Sequence, residues 1–203
     1  MAIRLQEMHP ALVRLPIALL PLAVGADVIG SLTDNKSALS FGQKAICIAA
    51  AGAVASAVTG LIAGEEVKVE GASEIILITH RNLNFIATVV ATSMALWRVS
   101  HRKPNAPYLG VGAAGVGVIA YTAYLGGKLV YDVGVGVEPA HGVYRSDAPK
   151  LKSGQVGTFV KTAGTDLVHG VQHMVEEVVK GRLVPTIMAS LREQPQVPTP
   201  AAA

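Results

Sequence analysis

A single cysteine, Cys47, in 203 residues excludes a disulfide-stapled scaffold. It also excludes a covalently attached c-type haem, which needs a Cys-x-x-Cys-His run. Aromatic residues make up only 4% of the chain, and none of the basic stretches alternates with them. The net charge of +3 therefore carries no nucleic-acid-binding footprint, and no nucleic acid is expected as a partner. Charge is scarce as well: 15% of residues are Asp, Glu, Lys or Arg, against about a quarter in an average soluble domain. Apolar residues fill the space, at 51% of the chain with a mean hydropathy of +0.45. That excludes a disordered chain and points to a small membrane protein.

The apolar residues gather into four stretches: about Ala11 to Leu32, Gln43 to Gly64, about Glu74 to Arg98, and Tyr108 to Tyr131. Each can cross a bilayer, which takes roughly 20 apolar residues. His9-Pro10 introduces the first, and proline suits a first helical turn because its missing N–H has no partner there. The separators are Thr33 to Lys36, the acidic Glu65 to Glu74 segment, and Ser100 to Asn105. Short loops between spans predict an up-down arrangement. The expected fold is all-α: a four-helix antiparallel transmembrane bundle with a C-terminal amphipathic helical extension. Arg4, Arg14 and the run from Leu15 to Ala26 also have the outline of a cleaved signal peptide, but Asp27 and Ile29 continue the helix smoothly. The expected divisions are 1–137 for the spans, 138–157 for a polar linker, 158–193 for the tail, and 194–203 for a loose Pro/Ala-rich end.

Gly52, Ser56, Gly60 and Gly64 recur every four residues in the second stretch, leaving a ridge nearly bare of side chains. In lipid, such ridges let helices approach closely. Ala113 and Gly117 repeat the pattern in the fourth stretch. Gly110-Val-Gly112-Ala-Ala-Gly115 formally matches a dinucleotide-binding fingerprint. No strand precedes it and it lies inside an apolar run, so packing is the better reading.

Antiparallel order sorts the polar groups by end. His9, Arg14, Glu65, Glu66, His80, Arg81, Asn84, Lys128, Tyr131 and Asp132 fall at one end; Asp27, Lys36, Lys44, Arg98, Arg102 and Lys103 fall at the other. His80 lies about two turns into the third span, with Asn84 one turn later on the same face. Polar groups at that depth are costly and usually face the bundle interior. Two neutral imidazoles on facing helices can hold haem b by its iron. Arg14 and Arg81 suit haem propionates or lipid headgroups at the boundary. The expected site is thus His9 and His80 as iron ligands, with Arg14, Arg81 and Asn84 around them. The bland alternative is a pair of histidines bonded to neighbouring carbonyls or carboxylates with no cofactor. For Asp27, the buried acid of the other end, Lys44 is the expected partner.

The opening His9-Pro-Ala-Leu-Val-Arg-Leu-Pro16 and the closing Tyr124-Leu-Gly-Gly-Lys-Leu-Val-Tyr-Asp-Val-Gly-Val-Gly-Val137 resemble the DUF2231 family of bacterial membrane proteins. Its pattern has a His-Pro-x-x-Val-His-Phe-Pro start, a histidine early in the third span and a Gly-Gly-x-x-Val-Tyr-x-His-Gly-Val-Gly-Val end. The resemblance covers residues 1 to about 137 and leaves the tail outside; Asp27 matches an acidic position of the first span. It implies a four-helix membrane domain often found near cytochromes and dehydrogenases, with no settled activity. At two positions where the family often has histidine, this chain has Arg14 and Val133. A four-histidine site is therefore incomplete here, and a single site of His9 and His80 is what survives.

Two functions remain open. One is a haem b-binding electron-transfer subunit of a larger membrane complex; the other is a cofactor-free scaffold or anchoring subunit. No nucleophile–base pair, metalloprotease motif or phosphate loop supports a hydrolase, so an accessory role is expected rather than catalysis. The expected location is the bacterial inner membrane. The Lys/Arg-rich loops of the Asp27 end favour a cytoplasmic position for it, which puts the histidine end and both termini in the periplasm. The seven Lys and Arg after Val137 weigh the other way. In the tail, Val160, Leu167, Val171, Met174 and Val178 form an apolar stripe expected to dock on a partner subunit or the membrane surface. Asp166, His169, His173 and Glu177 lie opposite and are expected to be a solvated polar face, without a metal.

Overall fold

A computed structural model of the chain describes residues 3–67, 69–135, 149–151 and 154–192. A two-residue strand, β1 (Ile3–Arg4), leads directly into α1 (Leu5–Leu12). Pro16 then interrupts the ladder, because without an N–H it cannot bond the carbonyl of Leu12. α2 (Arg14–Thr33) starts after this break at Val13. The flanking bonds survive, Val13 N–H to the His9 carbonyl at 3.0 Å and Ile17 N–H to the Val13 carbonyl at 3.2 Å. The first expected span is therefore two helices on one path.

Asp34 closes α2 in the left-handed conformation, at φ 50°. Asn35 opens α3 (Lys36–Glu66), its side chain accepting from the backbone N–H of Ser37 and Ala38 at 3.0 and 3.1 Å. Such caps give partners to donors that the first turn leaves unpaired. α4 (Ala72–Ser100) follows Gly71, whose φ of 61° suits a residue without a Cβ. Asn105 caps α5 (Ala106–Tyr131) through the Tyr108 N–H at 2.9 Å. Then β2 (Lys150–Leu151) pairs antiparallel with β1, and α6 (Val156–Val179) and α7 (Pro185–Arg192) end the described chain. Most of the expected linker 138–157 and all of 194–203 lie outside the described residues; α6 starts two residues before the expected tail.

α2 packs on α3, α3 on α4, α4 on α5, and α5 returns to α2. The four paths Met8–Thr33, Lys36–Glu66, Ala72–Ser100 and Ala106–Tyr131 are long and apolar enough to cross a membrane. This is the expected all-α bundle. Its centre is built largely from small residues: Ala23, Ala45, Ala49, Ala50, Ala91 and Ala95 are buried beside Leu20, Ile46 and Met94. Larger apolar side chains, among them Leu22, Ile29, Ile48, Val89 and Leu96, point outwards. Lipid exerts no hydrophobic drive between helices, so close contact through small residues supplies the packing instead.

The glycine ridge faces its neighbour over most of its length. A Cβ on Gly52 would lie 2.6 Å from the Leu15 Cβ, and one on Gly60 would lie 2.7 Å from the His9 ring. At Gly64, one turn further, no described atom lies within 4 Å, so the ridge stops at His9. In α5 the expected pair Ala113 and Gly117 is exposed. The packed stripe there is Tyr108, Gly112, Thr122, Leu125 and Leu129, with Gly112 against Val24 and Met94. The pattern was shifted because two small-residue stripes compete in α5, and the buried aromatic and leucines choose between them.

The tail folds back on its own bundle, α6 against α3 and α4, and α7 against α4. The buried face that α6 turns to the bundle shares only Met174 with the apolar stripe expected to meet a partner subunit or the membrane surface. Ala163, Asp166, Gly170 and Met174 are buried, whereas Val160, Val171 and Val178 stay 60%, 40% and 45% exposed. Gly170 explains the choice, since a Cβ there would meet the Leu61 carbonyl at 3.0 Å and only a bare position lets the helices touch. Polar bonds add to it: His173 Nδ1 pairs with Glu65 at 3.0 Å, and Arg182, which also holds Glu177 of the tail at 3.0 Å, reaches Glu74 of α4 at 3.3 Å. Of the expected solvated face, His169 remains exposed while Asp166 is buried and His173 and Glu177 are bonded.

Candidate functional site

His9 on α1 and His80 on α4 are anchored in the same manner. His9 Nδ1 bonds the Ser56 carbonyl of α3 at 2.9 Å, and His80 Nδ1 bonds the Thr122 carbonyl of α5 at 2.9 Å. A carbonyl oxygen only accepts, so Nδ1 is the donor in each ring and the neutral imidazole keeps its lone pair on Nε2. Glycine makes room for both rings. Gly60 lies under His9, and a Cβ on Gly126 would lie 3.0 Å from His80 Cε1. Each imidazole therefore rests on the bare backbone of the helix whose carbonyl it bonds.

The other expected site residues take different places. Arg14 is exposed on the first turn of α2. Arg81 is half-buried in the field of Glu65 and Glu177, with its Nε enclosed and unbonded. Asn84 donates to the carbonyl of His80 at 2.8 Å, one turn back on its own helix, and so steadies that turn. The asparagine that reaches another element is Asn82, which is 1% exposed and donates to the carbonyls of Leu183 and Arg182 at 2.9 and 3.3 Å. Thr79 completes this latch, accepting from the Thr186 N–H at 3.1 Å. Helical spacing from His80 gave no sign of it, because Asn82 points at a segment a hundred residues away. Thr122, Gly126 and Ser56 were also missed as supports, although Gly126 lies at the expected end of its span.

At the other end, Asp27 is paired with Arg98 and not with Lys44. The Arg98 Nη2 donates to Asp27 Oδ1 at 2.9 Å, and its Nε lies 3.2 Å from Oδ2; neither side chain is exposed. Arg98 also donates to the carbonyls of Leu39 and His101, so both ions have additional partners or close walls. Gly42 creates the opening: a Cβ there would overlap the Asp27 carboxylate. Lys44 lies two residues further, on the opposite side of α3, and is exposed. Tyr108 is buried against the pair and stacks on Trp97 at 4.9 Å, while exposed His101 stacks on the same Trp97 at 4.0 Å.

The arrangement offers two lone-pair nitrogens at one end of a bundle of membrane-length helices, and a closed ion pair at the other. No curated protein and no solved structure matches the chain. The profile of a family described as a predicted membrane protein matches residues 6–139, from just before His9 to just past the last span. With most of its length inside that match and four apolar helices behind it, the chain is a multi-pass membrane protein and belongs to the DUF2231 family.

Proposed function

We propose that this chain is a haem b-binding subunit that passes electrons within a larger complex of the bacterial inner membrane, in which His9 and His80 would hold the haem iron. The observation that carries the reading is the matched anchoring of the two rings. Each Nδ1 is held by a helix carbonyl at 2.9 Å, which leaves Nε2 as the ligating atom. Ligating histidines are oriented in this way by the bond their other nitrogen makes. The donor types suit the group: two neutral imidazoles, His9 of α1 seated on Gly60 and His80 of α4 seated on Gly126. Haem b, when bound, supplies a one-electron iron couple. The protein's own part is to fix ring tautomer and orientation through Ser56 and Thr122 and to exclude water by burial. Arg14, exposed beside the first turn, suits a propionate; Arg81 already has Glu65 and Glu177 in its field.

A cofactor-free scaffold or anchoring subunit is the second reading, and one observation favours it. A carbonyl is a sufficient partner for a buried imidazole, and Gly60 lies so close to His9 that packing alone accounts for the contact. Absorption of the purified protein from haem-replete cells separates the two. A Soret band and a reduced α-band, lost in His80→Ala and kept in His101→Ala, support the first reading. A colourless protein whose His80→Ala variant only loses stability supports the second. Reporter fusions at Lys103 and Ala203 test the sidedness, with the Lys103 fusion expected in the cytoplasm and the Ala203 fusion outside.

A further inference from the structure

α6 has three faces rather than the two of an ordinary amphipathic helix. Ala163, Asp166, Gly170 and Met174 turn to the bundle and are buried. Thr165, His169, Gln172 and Glu176 are exposed and polar. Between these lies a run of valines, with Val168, Val175 and Val179 exposed to 55%, 52% and 81%. A helix with one side each for protein, water and something apolar fits one environment, the edge of a bilayer.

The neighbouring surface identifies the apolar side. Val175, Val178, Val179 and Leu183 form one wall of a groove of about 270 Å³, and Phe85 and Ile86 of α4 form the other. Phe85, Ile86 and, one turn on, Val89 are exposed on a helix that spans the membrane, so they face lipid. The valine face thus continues a lipid-facing surface without a polar break. The groove's one polar lining residue, Asn82, directs its amide N–H groups to the Arg182 and Leu183 carbonyls. That leaves apolar walls for an acyl chain and little for a polypeptide to bond.

We propose that α6 is an interfacial helix whose valine face lies among lipid acyl chains, extending the lipid-facing surface of α4. The inference is independent of any cofactor. Its test uses the full-length chain in vesicles of phosphatidylcholine and phosphatidylglycerol. Cys47→Ala supplies the background, and one nitroxide is placed at Val175→Cys, Val168→Cys or Gln172→Cys. Collision with oxygen, which concentrates in lipid, is compared with collision with a water-soluble nickel chelate. Labels at 168 and 175 are expected to favour oxygen several-fold over the label at 172, which should favour nickel. Two results overturn the proposal. One is nickel access at 168 and 175 equal to that at 172, which puts the valines in water. The other is shielding from both reagents, which means protein covers them; spin–spin broadening would then identify a second copy. Should Val175→Cys perturb the groove, Val168→Cys reads the same face away from it.

Discussion

Arg98 and Asp27 meet at 2.9 Å with neither side chain exposed, at the end of the bundle remote from His9 and His80. The pair ties α2 to α4 across the bundle, and the Leu39 carbonyl brings the start of α3 into the same knot. Removing one member of a buried pair leaves the other ion without compensation, which costs about 3–5 kcal/mol. Arg98→Ala should therefore lower stability by that order in detergent unfolding. The double variant Asp27→Ala/Arg98→Ala should lose clearly less than the sum of the two single changes. Additive losses would show that the two ions do not depend on each other.

Gly60 and Gly64 provide a matched comparison on one helix. A methyl on Gly60 would lie 2.7 Å from the His9 ring, while Gly64 has no described atom within 4 Å. Gly60→Ala must displace His9 from the Ser56 carbonyl and should cost about 1–3 kcal/mol, as overpacking does. Gly64→Ala should stay within about 0.5 kcal/mol of the parent. Thermal unfolding of the two variants side by side checks the difference, and equal effects would remove the ridge argument.

The spans were legible because membrane-length apolar runs leave few alternatives, and the loops between them carry Asn35 and Asn105 as caps. The position of His80 two turns into its helix and the packing of the ridge at Gly52 and Gly60 against a neighbour could likewise be read from spacing, but not that Gly60 meets His9. Partner choice could not. Asp27 took Arg98 rather than Lys44 because rotation about α3 turns Gly42 inwards and Lys44 outwards, and sequence order does not give that rotation. For the tail, spacing showed the apolar stripe, and Val160, Val171 and Val178 of it are exposed on the chain alone, open to a partner subunit or the membrane surface. What spacing did not show is the contact of α6 with the chain's own bundle. The small face, with Gly170 against Leu61, makes that contact.

Lys103 and Asp34 join two loops of the Asp27 end, their side chains 2.6 Å apart and well exposed. The hydrogen bond from Lys103, and then its charge, hold the Asp34 carboxyl below its ordinary value. A carboxyl depressed in the folded state adds stability above the ordinary carboxylate range and loses it as pH falls through the depressed value. Exposure keeps that contribution small through solvent screening. Carbon-detected NMR titration should find Asp34 titrating below the other exposed carboxylates, and Lys103→Ala should return it to their range. An unchanged titration in Lys103→Ala would mean that the pair does not persist in solution.

Asn82 holds the tail to the spans by donating to two carbonyls, at 2.9 Å to Leu183 and 3.3 Å to Arg182. Those carbonyls lie between α6 and α7, where the chain turns and no helical ladder supplies donors. Asn82→Leu keeps the volume but removes both donors, and carbonyls left buried without partners cost about 1–3 kcal/mol. Detachment should be local, because α6 keeps the Gly170–Leu61 contact and the His173–Glu65 bond. Hydrogen exchange should therefore rise at residues 182–188 by roughly ten- to a hundredfold, since each 1.4 kcal/mol is a factor of ten. Exchange in the middle of α3 and α6 should stay unchanged. A uniform rise across α6 and α7 would make the tail one cooperative unit, and no rise at all would mean that Thr79 and the Arg182–Glu74 pair hold the turn without Asn82.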